Sequence, residues 1–581
     1  MAAESQLDVV GSPRKSFVIL LLAAVLALGL PAFAQDRTAG SDDARLPAVK
    51  SAFDAGRWEE AARLARGPAN QSPEFDLLAG LALARLEKWD EAKSAFESGF
   101  RKSPGDSRFL VELAGIAYKQ EDFRMAKNKL HAALKLNPRD SYSREFLATI
   151  YFLEGNLEAV LQYWNPEDKP RLRSVGFTPS LKLKESLRRR MVTFNTPQVL
   201  SAEALLTTQA RLDNLEIFSS RRIELAPVDS GSYDATLHLA EKNGWGDSKL
   251  EGLVSLLSGL PYATVYPEFY NLGRAAVNWT SLARWDSEKR RAFFALSLPL
   301  YGDPRLRLRI YADARNENWN LAETFFGAST PVTDLNMRCA AAGAELHSVV
   351  DGRWSWNAGT EIASRNFRNA SGLASPAVRT FFLDATSLAA WLGVRRTLLR
   401  APERRFTLDS SADIKGGREF ANGLGPFATL RGSLRAHWFP RETGDDYEMQ
   451  AQVRAGATAG KATLDELFEL GIERDNDLWL RGHAGTLDGR KGAAPLGRRF
   501  LLSNWEIDKN IFQNGLFTVK LGPFLDTGAV ADSSGLFGSR RWLWDTGAQC
   551  KLRVLGSLTI VFSYGRDLRG ARNVFYGTVL R

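Results

Sequence analysis

Two periodicities divide this chain. Between residues 45 and 165 the apolar positions recur every 34 residues: Trp89, Phe123 and Leu157; Gly80, Ala114 and Ala148; Ala84, Tyr118 and Phe152; and the pair Pro104 and Pro138. Large residues fall on large and small on small. Stacked helix–turn–helix units need this pattern, because small residues let two helices approach while an aromatic fills the gap against the next pair. Beyond residue 249 the period drops to two. Arg305, Arg307 and Arg309 alternate with Leu306, Leu308 and Ile310; Thr429, Arg431, Ser433, Arg435 and His437 alternate with Leu430, Leu434, Ala436 and Trp438; Glu448, Gln450, Gln452 and Arg454 alternate with Met449, Ala451, Val453 and Ala455. Such strands carry one polar and one oily face. Between the two regimes, residues 171–243 read as strand, helix, helix, strand, strand. The segments are Leu172–Phe177, Leu181–Arg190, Ala202–Leu215 behind a Ser201 cap, Ser220–Ala226 and Tyr233–Ala240, with a hairpin turn at Asp229–Ser232.

Composition narrows what these units do. A chain of 581 residues is too long for one core, so several folded units are expected. Residues 1–34 read as a secretory signal peptide: Arg14 and Lys15 precede the apolar run Phe17–Leu30, and Ala32-Phe33-Ala34 offers a cleavage site before Gln35. That run is shorter than the ~20 residues a spanning helix needs. No later stretch reaches that length, which leaves an exported soluble protein or a membrane β-barrel. The net charge of +9 comes from 76 basic and 67 acidic residues interspersed, without the dense stripe that nucleic acid leaves, so no nucleic-acid partner is expected. Cys339 and Cys550 stand far apart and the five histidines are scattered, so neither a metal nor a cofactor is expected. The absence of a GxSxG elbow, a P-loop or a dinucleotide fingerprint argues against an enzyme.

The 34-residue units resemble tetratricopeptide repeats, with the shorter Ala55–Ala61 segment as an entry cap, and imply a concave protein-docking surface. Residues 171–243, with Leu212–Ser219 followed by Arg222-Ile223-Glu224-Leu225, resemble a POTRA domain. Residues 249–581 then allow ~16 strands of an antiparallel barrel. Aromatic strand ends at Trp438-Phe439 and Trp542-Leu543-Trp544 suit a membrane interface. The blocks Leu467–Gly471, Leu478–His483, Leu496–Glu506, Gly522–Val530 and Gly547–Arg553 resemble, in order, those of the BamA/TamA superfamily of outer-membrane assembly and translocation barrels.

The resemblance implies an α-solenoid and a small α+β domain in the periplasm, ahead of a bacterial outer-membrane barrel that inserts or translocates client proteins. Its partners would be periplasmic clients or partner proteins and outer-membrane lipid. The other reading of the same elements is a passive pore with a protein-docking arm. It also implies a long loop folded into the barrel, whose Arg481-Gly482 turn meets Asp526 or Glu506 on the inner wall. Strand parity agrees: if Phe517, Val519, Leu521 and Leu525 face lipid, Asp526 faces the lumen, and if Leu501, Trp505 and Ile507 face lipid, Glu506 faces the lumen too. Two departures stand out, His483 where the family turn has an aromatic, and a chain ending in Arg581 rather than an aromatic.

Overall fold

The computed structural model describes residues 45–581 except 67–71, 230, 243, 245–252, 254–255, 257–258, 327–331, 371–375, 442, 515, 540, 555–557, 571 and 581. The signal-peptide expectation and the terminal Arg581 lie outside the described residues. Two compact units meet in sequence at Arg139 and Asp140.

The first unit is helical: α1 (Arg45–Asp54), α2 (Trp58–Ala65), α3 (Pro73–Arg85), α4 (Trp89–Lys102), α5 (Ser107–Lys119) and α6 (Phe123–Leu136), packed in consecutive pairs. Local chemistry fixes the ends. The Ser72 hydroxyl accepts from Glu74 N ahead of a Pro at the first turn of α3, and the Asp106 and Asp122 carboxylates cap α5 and α6. Between helices, small residues accommodate rings. A Cβ at Gly80 would fall 2.4 Å from the Phe96 ring and one at Gly99 2.2 Å from the Phe109 ring. Phe75, Phe96 and Phe109 are the buried centre. Of the periodic aromatics, Trp89 packs partly buried against that core, and Phe123 lies 5.5 Å from Tyr118.

The second unit opens with one more helical pair, α7 (Ser141–Leu153) and α8 (Leu157–Trp164), capped by Asp140 and Asn156. There Phe152 and Trp164 pack on Tyr233 at 6.2 and 5.1 Å, while Leu157 is half-buried at the start of α8. Repeats that bury only one another would share little with the following sheet. This pair does not: its aromatic face is completed by the sheet.

The sheet has β1 (Arg171–Thr178), β2 (Phe218–Asp229) and β3 (Ser232–Glu241) in the order β1-β3-β2, with β1 parallel and β2 antiparallel to β3. It is covered by α9 (Glu185–Met191) and α10 (Ala202–Leu215), the latter capped by Ser201. The helix expected over 181–190 starts only at Glu185. Leu181 and Leu183 are buried on non-helical backbone instead.

A closed barrel follows, its successive wall strands antiparallel. Its wall is β4 (in two pieces, Thr264–Val265 and Glu268–Leu272), β5 (Val277–Trp285), β6 (Lys289–Pro299), β7 (Leu306–Trp319), β8 (Leu335–Val349), β9 (Trp354–Arg368), β10 (Ala385–Ala401), β11 (Phe406–Phe420), β12 (Pro426–Trp438), β13 (Tyr447–Gly460), β14 (Arg499–Gln513), β15 (Phe517–Ala531), β16 (Leu543–Val554), β17 (Leu558–Asp567) and β18 (Asn573–Leu580). Where β18 meets the start of β4, the Tyr262 hydroxyl donates to the Gly577 carbonyl at 2.9 Å. The outer face carries Ile362, Leu388, Ile414, Leu430 and Trp505, all more than half exposed. A face this apolar is stable only against lipid, and closure pairs the backbone groups that lipid cannot satisfy. No helix among the described residues is long and apolar enough to cross a membrane.

One rim of the barrel is bonded to the preceding domains. Asn278 and Asn271 donate to the Leu215 and Lys182 carbonyls, Asn214 to the Pro304 carbonyl, and Gly352 N to the Thr207 hydroxyl. The β10–β11 turn bears on α8: Arg400 Nε donates to Glu158 at 2.7 Å, Asn156 donates to the Pro402 carbonyl, and Tyr163 bonds Glu403. At the opposite rim, loops close over an aromatic knot in which Phe537 lies 5.2 Å from both Phe325 and Phe381.

Candidate functional site: the loop in the barrel lumen

Residues 461–498, between β13 and β14, do not extend into solvent; they fill the lumen. The segment has two chemically distinct faces. Phe468, Leu470, Leu478 and Leu480 pack on the inward Phe500, Leu502, Val530 and Leu543 of β14–β16. On the other side its acids meet cations from the remaining wall. Asp475 accepts from Arg284 of β5 and Arg291 of β6, each at 2.7 Å, and Glu473 faces Lys289 at 3.2 Å. Asp465 and Glu466 hold Arg365 of β9 at 2.6 and 2.9 Å, and Glu466 also takes Lys415 of β11 at 2.7 Å. Other pairs run the other way, among them Lys491 of the loop against Glu317 of β7 at 3.3 Å. Buried charges demand such partners, since an unpaired ion away from water costs several kcal/mol.

Arg481 occupies the apex of this arrangement and is only 3% exposed. Its Nε and Nη2 donate to the two Asp526 oxygens at 2.8 and 2.6 Å, a two-pronged contact that suits a planar guanidinium. Nη1 donates to Glu506 at 3.0 Å and to Gln549 Oε1 at 2.8 Å. The Arg481 backbone N–H adds a bond to Asp526 at 3.0 Å, and the guanidinium lies 3.8 Å over the Phe524 ring. Around it, Asn504 donates to Asp526, while Lys551 and Gln549 hold Glu506 and Asp508. The charges of the cluster are thereby shared among residues of β14, β15 and β16.

Gly482 follows at a position where a side chain has no room. Its N–H donates to Asp545 at 2.5 Å, and a Cβ there would fall 2.6 Å from the Asp545 carboxyl carbon. His483 completes the turn, with Nδ1 3.1 Å from Asp545 and Nε2 3.7 Å from Asp567. These three side chains come within 4.8 Å of one another, a grouping that the scattered histidines did not foretell. The two ring nitrogens face different carboxylates, so the imidazole bridges two strands rather than pointing at one centre. Where an aromatic would pack by its faces, this histidine is held by its edges.

The structure therefore places Arg481, Gly482, Asp526 and Glu506 together. Sequence reasoning missed Gln549, Asp545 and Asp567, and the whole loop-to-wall set on β5–β11. Parity could have put Asp545 and Gln549 on the inner face with Asp526. For the others there was no signal, because the partners lie 51 to 191 residues apart.

No family model matches the chain, and no curated protein matches it. Among solved structures it is similar to BamA from Haemophilus ducreyi lacking POTRA domains 1–3, at 13% identity over 71% of this chain and 84% of that one, with a TM-score of 0.41. It is also similar to CdiB from Acinetobacter baumannii, at 15% identity over 73% and 81% with a TM-score of 0.43, and to CdiB from Escherichia coli, at 14% over 71% and 75% with a TM-score of 0.44.

Proposed function

We propose that this protein is an outer-membrane barrel of the BamA/TamA superfamily that inserts or translocates client proteins, a transporter rather than an enzyme. Residues 1–34 direct export, residues 45–165 act as tetratricopeptide-like docking repeats, residues 171–243 as a POTRA-like periplasmic domain, and residues 249–581 as the barrel. One observation carries the reading: a loop whose sequence blocks resemble that family is folded inside the barrel, with Arg481 against Asp526 and Glu506 on the wall. The lumen-filling loop also weighs against a passive pore, because a pore needs no buried ionic lock across its own channel. In this reading Arg481 fixes the loop while a client engages the repeats and the sheet of the α+β domain. A strand of the client would add to an exposed sheet edge, where main-chain hydrogen bonds give affinity without demanding one sequence. The test is site-specific photo-cross-linking from α3 and α5 in intact cells, combined with deletion of the gene. Capture of exported proteins, with loss of one of them from the cell surface on deletion, supports it. Unchanged surface proteins and an ion conductance equal to that of an open channel overturn it.

A further inference from the structure

The outer wall carries a patch that the transport reading does not use. On β6–β9, alternation sends Lys289, Arg291, Glu317, Met337, Arg365 and Phe367 inward, where they meet the loop, one another or the aromatic knot. Their neighbours must face outward. In register these form one lateral row across four adjacent strands, Arg290–Asn316–Arg338–Asn366, with Arg368 beside Asn336 one row higher. Arg290, Arg338 and Arg368 are exposed and make no ion pair among the described residues, in contrast to the inward arginines. The amides are already organised: Asn336 Nδ2 donates to Asn316 at 2.7 Å, and Arg368 Nε to Asn366 at 3.3 Å. Among the described residues three carboxylates border the row, and each is taken by other groups: Asp384 by Asn366 Nδ2 and Phe367 N–H, Glu288 by Asn318 Nδ2 and Arg490, and Asp334 by Arg490.

Position adds to the chemistry. The row lies near the rim opposite the one bonded to α8 and α10, level with Trp285, which pairs directly with Arg290. An exposed tryptophan at a strand end marks the headgroup level. Directly beneath, the next outward row is small throughout, Ala292–Ala314–Ala340–Ser364. The row below that is large at both ends and small in the middle, Phe294–Ala312–Ala342–Ile362. A shallow apolar trough therefore runs down β7 and β8, under a shelf of guanidinium and amide donors spaced ~10 Å apart on alternate strands.

We infer that β6–β9 form a binding site for a phosphorylated saccharolipid of the outer leaflet. Arg290, Arg338 and Arg368 would engage its phosphates, the asparagines its sugar hydroxyls, and the alanine trough its acyl chains. Guanidinium forks match phosphate, and asparagine offers both donor and acceptor to hydroxyls. An arginine without a carboxylate at this depth is best served by an anionic headgroup. The inference rests on the outer-membrane reading.

Native mass spectrometry of the full chain tests it, with lipid A as the saccharolipid probe, phosphatidylglycerol as a phosphate lacking the disaccharide, and inorganic phosphate as the free anion. We expect lipid A to be retained, to resist displacement by millimolar phosphate, and to bind at least about tenfold more weakly to the triple variant Arg290→Ser/Arg338→Ser/Arg368→Ser. Ala314→Leu/Ala340→Leu, which fills the trough and leaves every charge in place, should weaken it too. A control on the far wall, Arg499→Ser, should not. Equal loss in the control, equal binding of phosphatidylglycerol, or full displacement by free phosphate overturns the site. The gel mobility of each unheated variant separates the two readings: a barrel that still shifts on heating but retains no lipid overturns this inference alone, whereas a chain that never shifts overturns the membrane barrel itself.

Discussion

The helical arm and the plugged lumen are both well packed, and they are held together by opposite means. In the arm, rings sit on glycines: Phe96 on Gly80 and Phe109 on Gly99, with ion pairs such as Arg108–Glu74 confined to the surface. In the lumen, an apolar seam on one side is matched by buried salt bridges on the other, centred on Arg481, Asp475 and Arg365. Shape governs the first and charge the second. An arm built on shape tolerates changes of charge and fails on changes of volume; a plug built on charge should do the reverse.

The largest effect should come from the plug. Arg481→Ala leaves Asp526 without its cation and Glu506 with Lys551 alone, at ~3–5 kcal/mol for a dry pair and less if water enters. Residues 461–498 should become open to protease and transport should fall, while the barrel still shifts on heating. Arg481→Lys should restore little of this, since an ammonium lacks the fork. Because both residues act through one contact, Asp526→Ala combined with Arg481→Ala should be scarcely worse than either alone, and fully additive defects would reject the lock. In the arm, Gly80→Ala should lower helix stability by ~1–3 kcal/mol through overpacking against Phe96, read by the melting of the helical circular dichroism, with barrel mobility unchanged. Arg400→Ala removes a partly buried pair with Glu158 at the β10–β11 turn and should cost ~1 kcal/mol, seen as faster amide exchange in α8.

The smallest effect is a pH dependence in the arm. Burial pushes the Glu112 carboxyl up to about 7 from an ordinary 4.5, with Arg85 opposing. A folded carboxyl that holds its proton longer than the unfolded one stabilises the arm fully below about 4.5, and this contribution is lost as the pH rises toward about 7. Glu112→Gln should therefore flatten the fall in helix melting temperature between pH 5 and 7. An unchanged slope would assign that fall to other groups.

How far the chain could be read depended on the range of the forces. The period of 34 and the alternation on β7, β12 and β13 are local and were legible, as was the cap Ser201, because each element carries its own pattern. The inward direction of Asp526 and Glu506 followed from parity alone. The acids of the loop were not legible, since no local pattern marks Asp465, Glu466, Glu473 and Asp475, which acquire partners only when the barrel closes around them. Strand lengths were misjudged for a related reason. A tilted strand needs 9–11 residues to cross lipid, but β10 runs for 17, because strands continue wherever a neighbour offers hydrogen bonds beyond the membrane.

The spread of the loop's contacts around the wall bears on how it can be observed. Its tethers end on β5, β6, β7, β9, β11, β14, β15 and β16, so none of these eight strands can part from its neighbours without also pulling on the plug. Loop and wall then form one cooperative unit in the sense of subglobal unfolding. In native-state hydrogen–deuterium exchange, the amides of Arg481 and Gly482 should exchange at the slow rate of the strands that receive them, not at the fast rate usual for a segment between strands. Denaturant should bring loop and strand amides onto one common isotherm.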